Sequence, residues 1–379
     1  MFDIPEEVRL LRETVRRFVR KHYTEHEALG EAVEQLPDEL HRALRKKSVE
    51  AGLYGYNMPR RLGGPGLTAL AVVALQEELG YTTMPLAETL GHLPGSLVEA
   101  NDEQLEWFIK PIMNADKIVS YALTEPDAGS DLGNLKTRAR LDGDEWVLNG
   151  SKQFISGAAI SDYIIVLAVS EPGASLTKKF TTFIVERNNP GLKMGRTFKK
   201  MGWRGHPLSA FSLEDCRVPR SHVLGPVGSG FRAIMATINH DRVAMASRCV
   251  GMASAMLEHG KTWIKQRRAF GQVLANFQSI QFKVADADVA IEAARLLVLR
   301  AAQLADEGNP EFRIAACRAK LFASEMFCRV SDDIFQFFGG AGFMCELPIE
   351  RFYRDARGFR IGEGTSEMQR IQIARHALA

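Results

Sequence analysis

Long apolar runs are missing from this chain of 379 residues, and so is an excess of charge of either sign. No stretch approaches the roughly 18 apolar residues that a membrane span needs. The N-terminus, MFDIPEEVRLLRETVRRF, is rich in charge and has no apolar core, so a signal peptide is not expected. Lys and Arg number 48 and Asp and Glu 46, interspersed, for a formal net charge of +2. Without a basic block there is no footprint for nucleic acid. Cysteine is scarce: five residues, at 216, 249, 317, 328 and 345, an odd number without close pairing. Neither a disulfide framework nor a zinc site is signalled, and no metal is expected. Reduced thiols in a cytoplasmic setting are the simplest reading.

The remainder is ordinary for a folded protein. Hydrophobic residues make up 46% and charged residues 25%, which excludes a disordered chain. At roughly 100–200 residues per domain, two or three domains are expected. The pattern changes character twice. Up to about residue 118 it is helical: Val8, Leu11, Val15, Phe18 and Val19 recur at helical steps, and Leu70 to Leu79 is a second run stopped by Gly80. From 119 to 226 the signals are strands and turns. Asp142-Gly143 and Asn149-Gly150 are hairpin-type dipeptides, Ile164 to Val169 is an apolar run of strand length, and Asn188 to Gly191 is a turn cluster. From 227 to 379 the helical period returns, through Val284–Leu304 and a run from about Phe312 to Phe338 that stops at Gly339-Gly340. The expected organisation is mostly α with a central β domain: 1–118 helical, 119–226 β, 227–379 a helical bundle.

Several segments carry both a plain and a chemical reading. Gly228-Ser-Gly-Phe-Arg-Ala233 matches G-x-G-x-x-A, but no strand directly precedes it, so a glycine-rich turn into a helix is the better reading than a dinucleotide fingerprint. Thr124-Glu-Pro-Asp-Ala-Gly-Ser-Asp131 is either a surface loop or a set of hydroxyls and N–H groups offered to a phosphate or a heterocycle edge. Ser156 either closes a turn or donates to a flat ring. Phe338 to Gly342 is a helix cap or a place where backbone approaches a ligand. In Gly362-Glu363-Gly364-Thr365-Ser366-Glu367, glycines on both sides of a carboxylate leave room for a substrate. Thr365 or Ser366 reads as an N-cap for the helix that follows, but capping gives no reason for the flanked Glu363.

Taken together these segments resemble the acyl-CoA dehydrogenase family over essentially the whole chain. The blocks are Tyr121-Ala-Leu-Thr-Glu-Pro-Asp-Ala-Gly-Ser-Asp131, Asn149-Gly-Ser-Lys-Gln-Phe-Ile-Ser156, Gln266-Arg-Arg-Ala-Phe-Gly271 with Gln278, Gln336-Phe-Phe-Gly-Gly-Ala-Gly342 and Glu363-Gly-Thr-Ser-Glu-Met-Gln-Arg370. The resemblance implies an α-helical domain, a middle β-barrel or sandwich domain and a four-helix bundle, with FAD between the last two, completed by a neighbouring subunit in a homotetramer built as a dimer of dimers. It implies that Tyr121, Leu123, Thr124, Gly129, Ser130, Phe154, Ile155 and Ser156 meet the flavin ring, with Ser156 near N5. Arg267 would serve the pyrophosphate, Phe270, Gln278, Gln336, Gly339 and Gly340 the adenosine side, and Thr365 and Glu367 would complete the site. Ser130, Asp241, Arg242, Gly362 and Gly364 would border an acyl-CoA substrate. Glu363 would take the α-proton while a hydride leaves Cβ for the flavin, and an electron-transfer flavoprotein would reoxidise it. Asp241 is a competing carboxylate, since some members carry the base on the earlier helix.

An acyl-CoA oxidase or an enoyl-CoA reductase on the same fold would use the same blocks. A non-catalytic or nucleic-acid-binding flavoprotein would lack the base and show a basic stripe. Two departures stand out: Gly362 where straight-chain members often have Tyr, which favours a branched or cyclic acyl group, and His206-Pro207-Leu208 in the β domain.

Overall fold

A computed structural model describes residues 4–379. The N-terminal part packs α1 (Glu6–His22), α2 (Asp38–Glu50) and α3 (Ala69–Leu79). Helix α1 starts after Pro5 and buries Val8, Val15, Phe18 and Val19, the stripe expected from their spacing. Its polar face is tied down as well: Arg12 and Arg16 reach the buried carboxylate of Glu78 on α3, each at 2.9 Å.

The middle part is one eight-stranded sheet of β1 (Val119–Ala122), β2 (Arg138–Asp142), β3 (Glu145–Ser156), β4 (Tyr163–Val169), β5 (Phe180–Glu186), β6 (Leu192–Thr197), β7 (Leu208–Pro219) and β8 (Val223–Leu224). The order is β6-β7-β3-β2-β4-β5-β8, with β1 parallel to β4. A single parallel pair, Arg138 with Val169, joins the two halves, so the sheet folds over its own core of Trp146, Leu148, Ile164, Val166, Phe183 and Phe211. Asp142-Gly143 makes the β2–β3 turn, with Gly143 at φ 64°. Asn149-Gly150 does not make a turn. It lies inside β3, at a register shift against β7. A Cβ on Gly150 would sit 2.5 Å from the Thr137 hydroxyl, and the Asn149 side chain pairs with Asp215. The dipeptide marks a bulge and a close approach, which a local turn signal cannot distinguish.

The C-terminal part holds α4 (Gly230–Gln266, 37 residues), α5 (Gln278–Asp306), α6 (Phe312–Phe338), α7 (Ile349–Phe359) and α8 (Ser366–Ala377). Gly228, at φ 79°, turns the chain into α4, as the G-x-G-x-x-A reading expected. Helix α3 crosses α4 through two glycines. A Cβ on Gly251 would lie 1.9 Å from the Glu77 carbonyl, and one on Gly80 2.5 Å from the Met252 nitrogen. That contact brings Gln76 and Val73 against Arg248 and Ser247, and so seats the N-terminal helices on the bundle.

Candidate active site

The loop 360–365 joins α7 to α8. Thr365 caps α8, accepting from the Met368 nitrogen at 3.3 Å. Glu363 adopts φ 52°, a left-handed conformation that costs a non-glycine residue energy and is tolerated where surroundings impose it. Three side chains impose it here. Arg242 Nε donates to the Glu363 carbonyl at 3.2 Å, Gln369 Nε2 to the carbonyls of Glu363 and Gly364 at 3.3 and 2.9 Å, and the buried Lys320 Nζ to the Gly364 carbonyl at 2.7 Å. All four bonds use main-chain carbonyls. The carboxylate of Glu363 is left uncommitted, and its main-chain N–H has no acceptor among the described residues.

The carboxyl group of Glu363 is pushed up to about 7, first by burial and then by the negative Asp241, against His92, Arg242 and Lys320. Part of the Glu363 surface is exposed, while protein atoms surround its carboxyl group. Excluding the remaining water from the carboxyl group would raise its proton affinity further. Lys320 is pulled down to about 8 by burial.

One wall beside Glu363 comes from the β domain. Trp203, in the β6–β7 connection, donates its main-chain N–H to Asp355 Oδ1 at 2.6 Å and its indole N–H to the Asp355 carbonyl at 3.1 Å. It stacks edge-on against Phe359 at 5.0 Å. Asp355 is fully buried, which pushes its carboxyl up to about 7. A Cβ placed on Gly362 would lie 3.2 Å from the Met245 methyl and 3.5 Å from Trp203. The Met245 methyl therefore fills much of the space that Gly362 leaves, and Trp203 borders it. Leu90 is committed to the N-terminal core, and Phe154 packs against Phe198 at 5.0 Å, so neither fills that space.

The first two sequence blocks meet across β3. The Gln153 nitrogen donates to the Thr124 carbonyl at 2.9 Å, which sets the 121–131 loop beside Phe154 and Ser156. Phe154 sits at φ 58° in a register shift and is half exposed; Ser156 is exposed at the strand end. Ile155 points into the sheet core, so only its main chain faces the loop. Gly129 and Ser130 are exposed, Leu123 is half-buried, and the enclosed Tyr121 hydroxyl has no hydrogen-bond partner among the described residues. Underneath, Lys152 Nζ donates to the Leu123 carbonyl and to Glu125, both at 2.9 Å. Glu125 also accepts the Lys136 and Thr137 N–H groups at 2.6 and 3.0 Å. His206-Pro207-Leu208 completes this end: the Pro207 carbonyl accepts from Gly157 at 2.8 Å and Leu208 pairs with Ser156.

The other predicted residues gather elsewhere. Arg267, Gln336, Gly339 and Gly340 line a surface cleft of about 630 Å³ with Trp263, Lys283 and Phe338. Gly339 and Gly340 face open space, Gln278 begins α5, and Phe270 is 95% exposed. Arg267 closes the C-terminal end of α4, roughly 37 Å along its axis from Arg242 at about 1.5 Å per residue. Glu367 is exposed and lies 3.7 Å from Arg370. Lys320, Trp203 and His92 were missed by sequence reasoning, because nothing local marks them, and Lys152 lay inside a quoted block without a role of its own.

The acyl-CoA dehydrogenase N-terminal, middle and C-terminal domains match residues 5–115, 120–216 and 228–378. The chain belongs to the acyl-CoA dehydrogenase family. It is 37% identical to the mitochondrial short-chain specific acyl-CoA dehydrogenase of Mus musculus, over 99% of this chain and 91% of that protein. It is 38% identical to the 3-(aryl)acrylate reductase of Clostridium sporogenes, over 98% and 99% of the two chains. The solved butyryl-CoA dehydrogenase of Megasphaera elsdenii superposes with a TM-score of 0.92 at 32% identity, each chain fully covered. The enzyme is thus an FAD-dependent oxidoreductase with the fold that the resemblance implied. Its residues fit that cofactor: a polar loop joined to a strand end offers main-chain groups to a flat ring, and a cationic cleft with open glycine backbone suits a phosphate and an adenosine. No helix is long and apolar enough to cross a membrane among the described residues.

Proposed function

We propose that this enzyme dehydrogenates an acyl-CoA thioester across Cα–Cβ with Glu363 as base. The observation that carries the proposal is the clamped loop, which leaves both the Glu363 carboxylate and its N–H free at one point. The N–H suits the thioester oxygen, where charge develops as the Cα–H bond breaks. The carboxylate takes that proton, and its raised affinity favours the transfer. Arg242, Lys320 and Gln369 act on the loop carbonyls, so they hold the base without neutralising it. When bound, FAD supplies the acceptor for the β-hydride. Tyr121 to Ser130 and Phe154 to Ser156 would hold its ring, with Ser156 near N5; Thr365 would contribute main chain only, since its hydroxyl caps α8.

Arg267, Phe270, Gln278, Gln336 and Gly339-Gly340 would hold the nucleotide half of a neighbouring subunit's FAD. Their separation along α4 supports that reading. So does a line of exposed apolar residues on α5, Phe282, Val289 and Leu296, spaced by seven on one face. The assembly proposed is a homotetramer built as a dimer of dimers. Sedimentation of a flavin-loaded monomer at micromolar concentration would refute it.

The acyl group proposed is branched or cyclic. Gly362 presents no side chain, and the neighbouring wall includes Met245, a flexible side chain that can make way for a branch. The purified yellow protein should release FAD on denaturation, and acyl-CoA should bleach the flavin anaerobically. Isovaleryl-, 2-methylbutyryl- or cyclohexanecarboxyl-CoA should exceed butyryl-CoA in kcat/KM, by roughly 10-fold for a methylene-sized misfit. A preference for butyryl-CoA would reject the shape assignment. An electron-transfer flavoprotein is proposed as oxidant. Faster reoxidation by oxygen than by that partner would point to an oxidase instead.

A further inference from the structure

A chain of hydrogen bonds runs from the α3–α4 crossing to Asp241, the carboxylate that faces Glu363. Arg248, buried on α4, donates Nε to Gln76 Oε1 at 2.8 Å and Nη1 to Glu88 at 2.9 Å. Arginine is a donor only, so it settles the orientation of the Gln76 amide. Gln76 Nε2 then donates to the Tyr56 hydroxyl at 2.5 Å. Tyr56 is fully buried, and with its oxygen already accepting, its own proton goes to His92 Nδ1 at 3.0 Å. The second ring nitrogen, Nε2, therefore carries hydrogen and donates to Asp241 Oδ1 at 3.0 Å. Each direction follows from the one before, which assigns the His92 tautomer from the network.

We propose that His92 is a positioning residue for the dehydrogenation: locked as a donor by Tyr56, Gln76 and Arg248, it holds Asp241 in one orientation beside Glu363. The inference rests on the reading of Glu363 as base. It gives the Asp241 carboxylate a task other than competing for the α-proton. A negative charge held there raises the proton affinity of Glu363, the sign already seen in its surroundings.

Other charged groups face this cluster. Glu363 faces Asp241, His92, Arg242 and Lys320. His92 faces Asp241, Glu88 and Arg248. Tyr121 lies toward both carboxylates, His240 toward Asp241 and Asp306, and His206 toward Glu88 and Lys200. Burial opposes a charge on His92, while Asp241 outweighs it and raises the affinity of the ring for a second proton. The hydrogen-bond order argues the other way and decides the matter. Protonating Nδ1 would turn the Tyr56 hydroxyl from its acceptor inside a dry core, leaving a buried proton unpaired.

The test is the acid limb of anaerobic flavin reduction by acyl-CoA in the assembled holoenzyme, with flavin content and melting temperature checked for each variant. Asp241→Asn removes the charge and should move the limb to lower pH by about one unit. His92→Leu should move it the same way and about as far, because an Asp241 side chain without its donor turns away from Glu363. His92→Gln keeps an N–H donor and should keep the parental limb. Tyr56→Phe unlocks the ring and should move the limb in the same direction, and it serves where His92→Leu folds poorly. An unmoved limb in Asp241→Asn, in His92→Leu or in Tyr56→Phe would overturn the proposal. So would His92→Gln moving as far as His92→Leu. Glu363→Gln is the separate check: if it retains parental reduction, the base assignment has failed, whatever the His92 variants show.

Discussion

Glu363→Gln is expected to lower the rate of flavin reduction by acyl-CoA by at least roughly 10²–10⁴-fold, the usual contribution of a general base. The amide has the shape of the carboxylate but cannot take the α-proton. The loop should survive the change, because Arg242, Gln369 and Lys320 hold carbonyls rather than the carboxylate. FAD content and acyl-CoA affinity should therefore stay near parental values, so that the loss falls on kcat and not on KM. Parental kcat/KM should rise with pH through about 7, where the free carboxylate forms. Stability carries the opposite sign. A carboxyl group raised above its ordinary value favours the folded state most below that value, and the advantage is lost as pH rises through about 7. Glu363→Gln should thus melt higher than the parent at alkaline pH while being the slower catalyst. If Asp241→Asn alone abolished reduction and Glu363→Gln did not, the two carboxylates would have to exchange roles.

Lys152→Met is expected to have the largest effect on stability, a loss of about 3–5 kcal/mol, because it leaves Glu125 charged and buried without its cation. Side-chain exposures of 0% and 5% put this pair among the most enclosed in the molecule. Burial pulls Lys152 down to about 8, which still leaves it charged at neutral pH. Burial also works against the Glu125 anion, but Lys152 and the N–H groups of Thr137 and Lys136 outweigh it and hold the carboxyl below its ordinary value. The pair carries the 121–131 loop, through the Leu123 carbonyl on one side and residues 136 and 137 on the other. Losing it should therefore also release flavin on dilution, read as a rise in free-flavin fluorescence before the main unfolding transition. The double variant Glu125→Gln/Lys152→Met should lose less than the two single variants summed, since neither charge is then stranded. An unchanged denaturation midpoint with full flavin content in Lys152→Met would show that the loop does not depend on this pair.

Much of this protein was determined by its sequence alone. The order of helical, β and helical segments follows from local periodicity, because a residue three, four or two positions away is a neighbour whatever the rest of the chain does. The Gly228 turn into α4, the Gly143 hairpin and the Thr365 cap are equally local. The flanking glycines marked Glu363 because room beside a carboxylate is written in its immediate neighbours. Gly150 defeated the same local reasoning, since its reason for being glycine is Thr137 on the adjacent strand. The environment of the base lay wholly beyond such reasoning. Trp203 and Asp355 are 152 positions apart, and His92 and Asp241 are 149. Only the crossing of α3 over α4 and the seating of the β domain on α7 bring these groups within hydrogen-bond reach. Burial and charge act through space, so the proton affinity of Glu363, the clamp that strains it and the separation of Arg267 from it were decided by the tertiary structure.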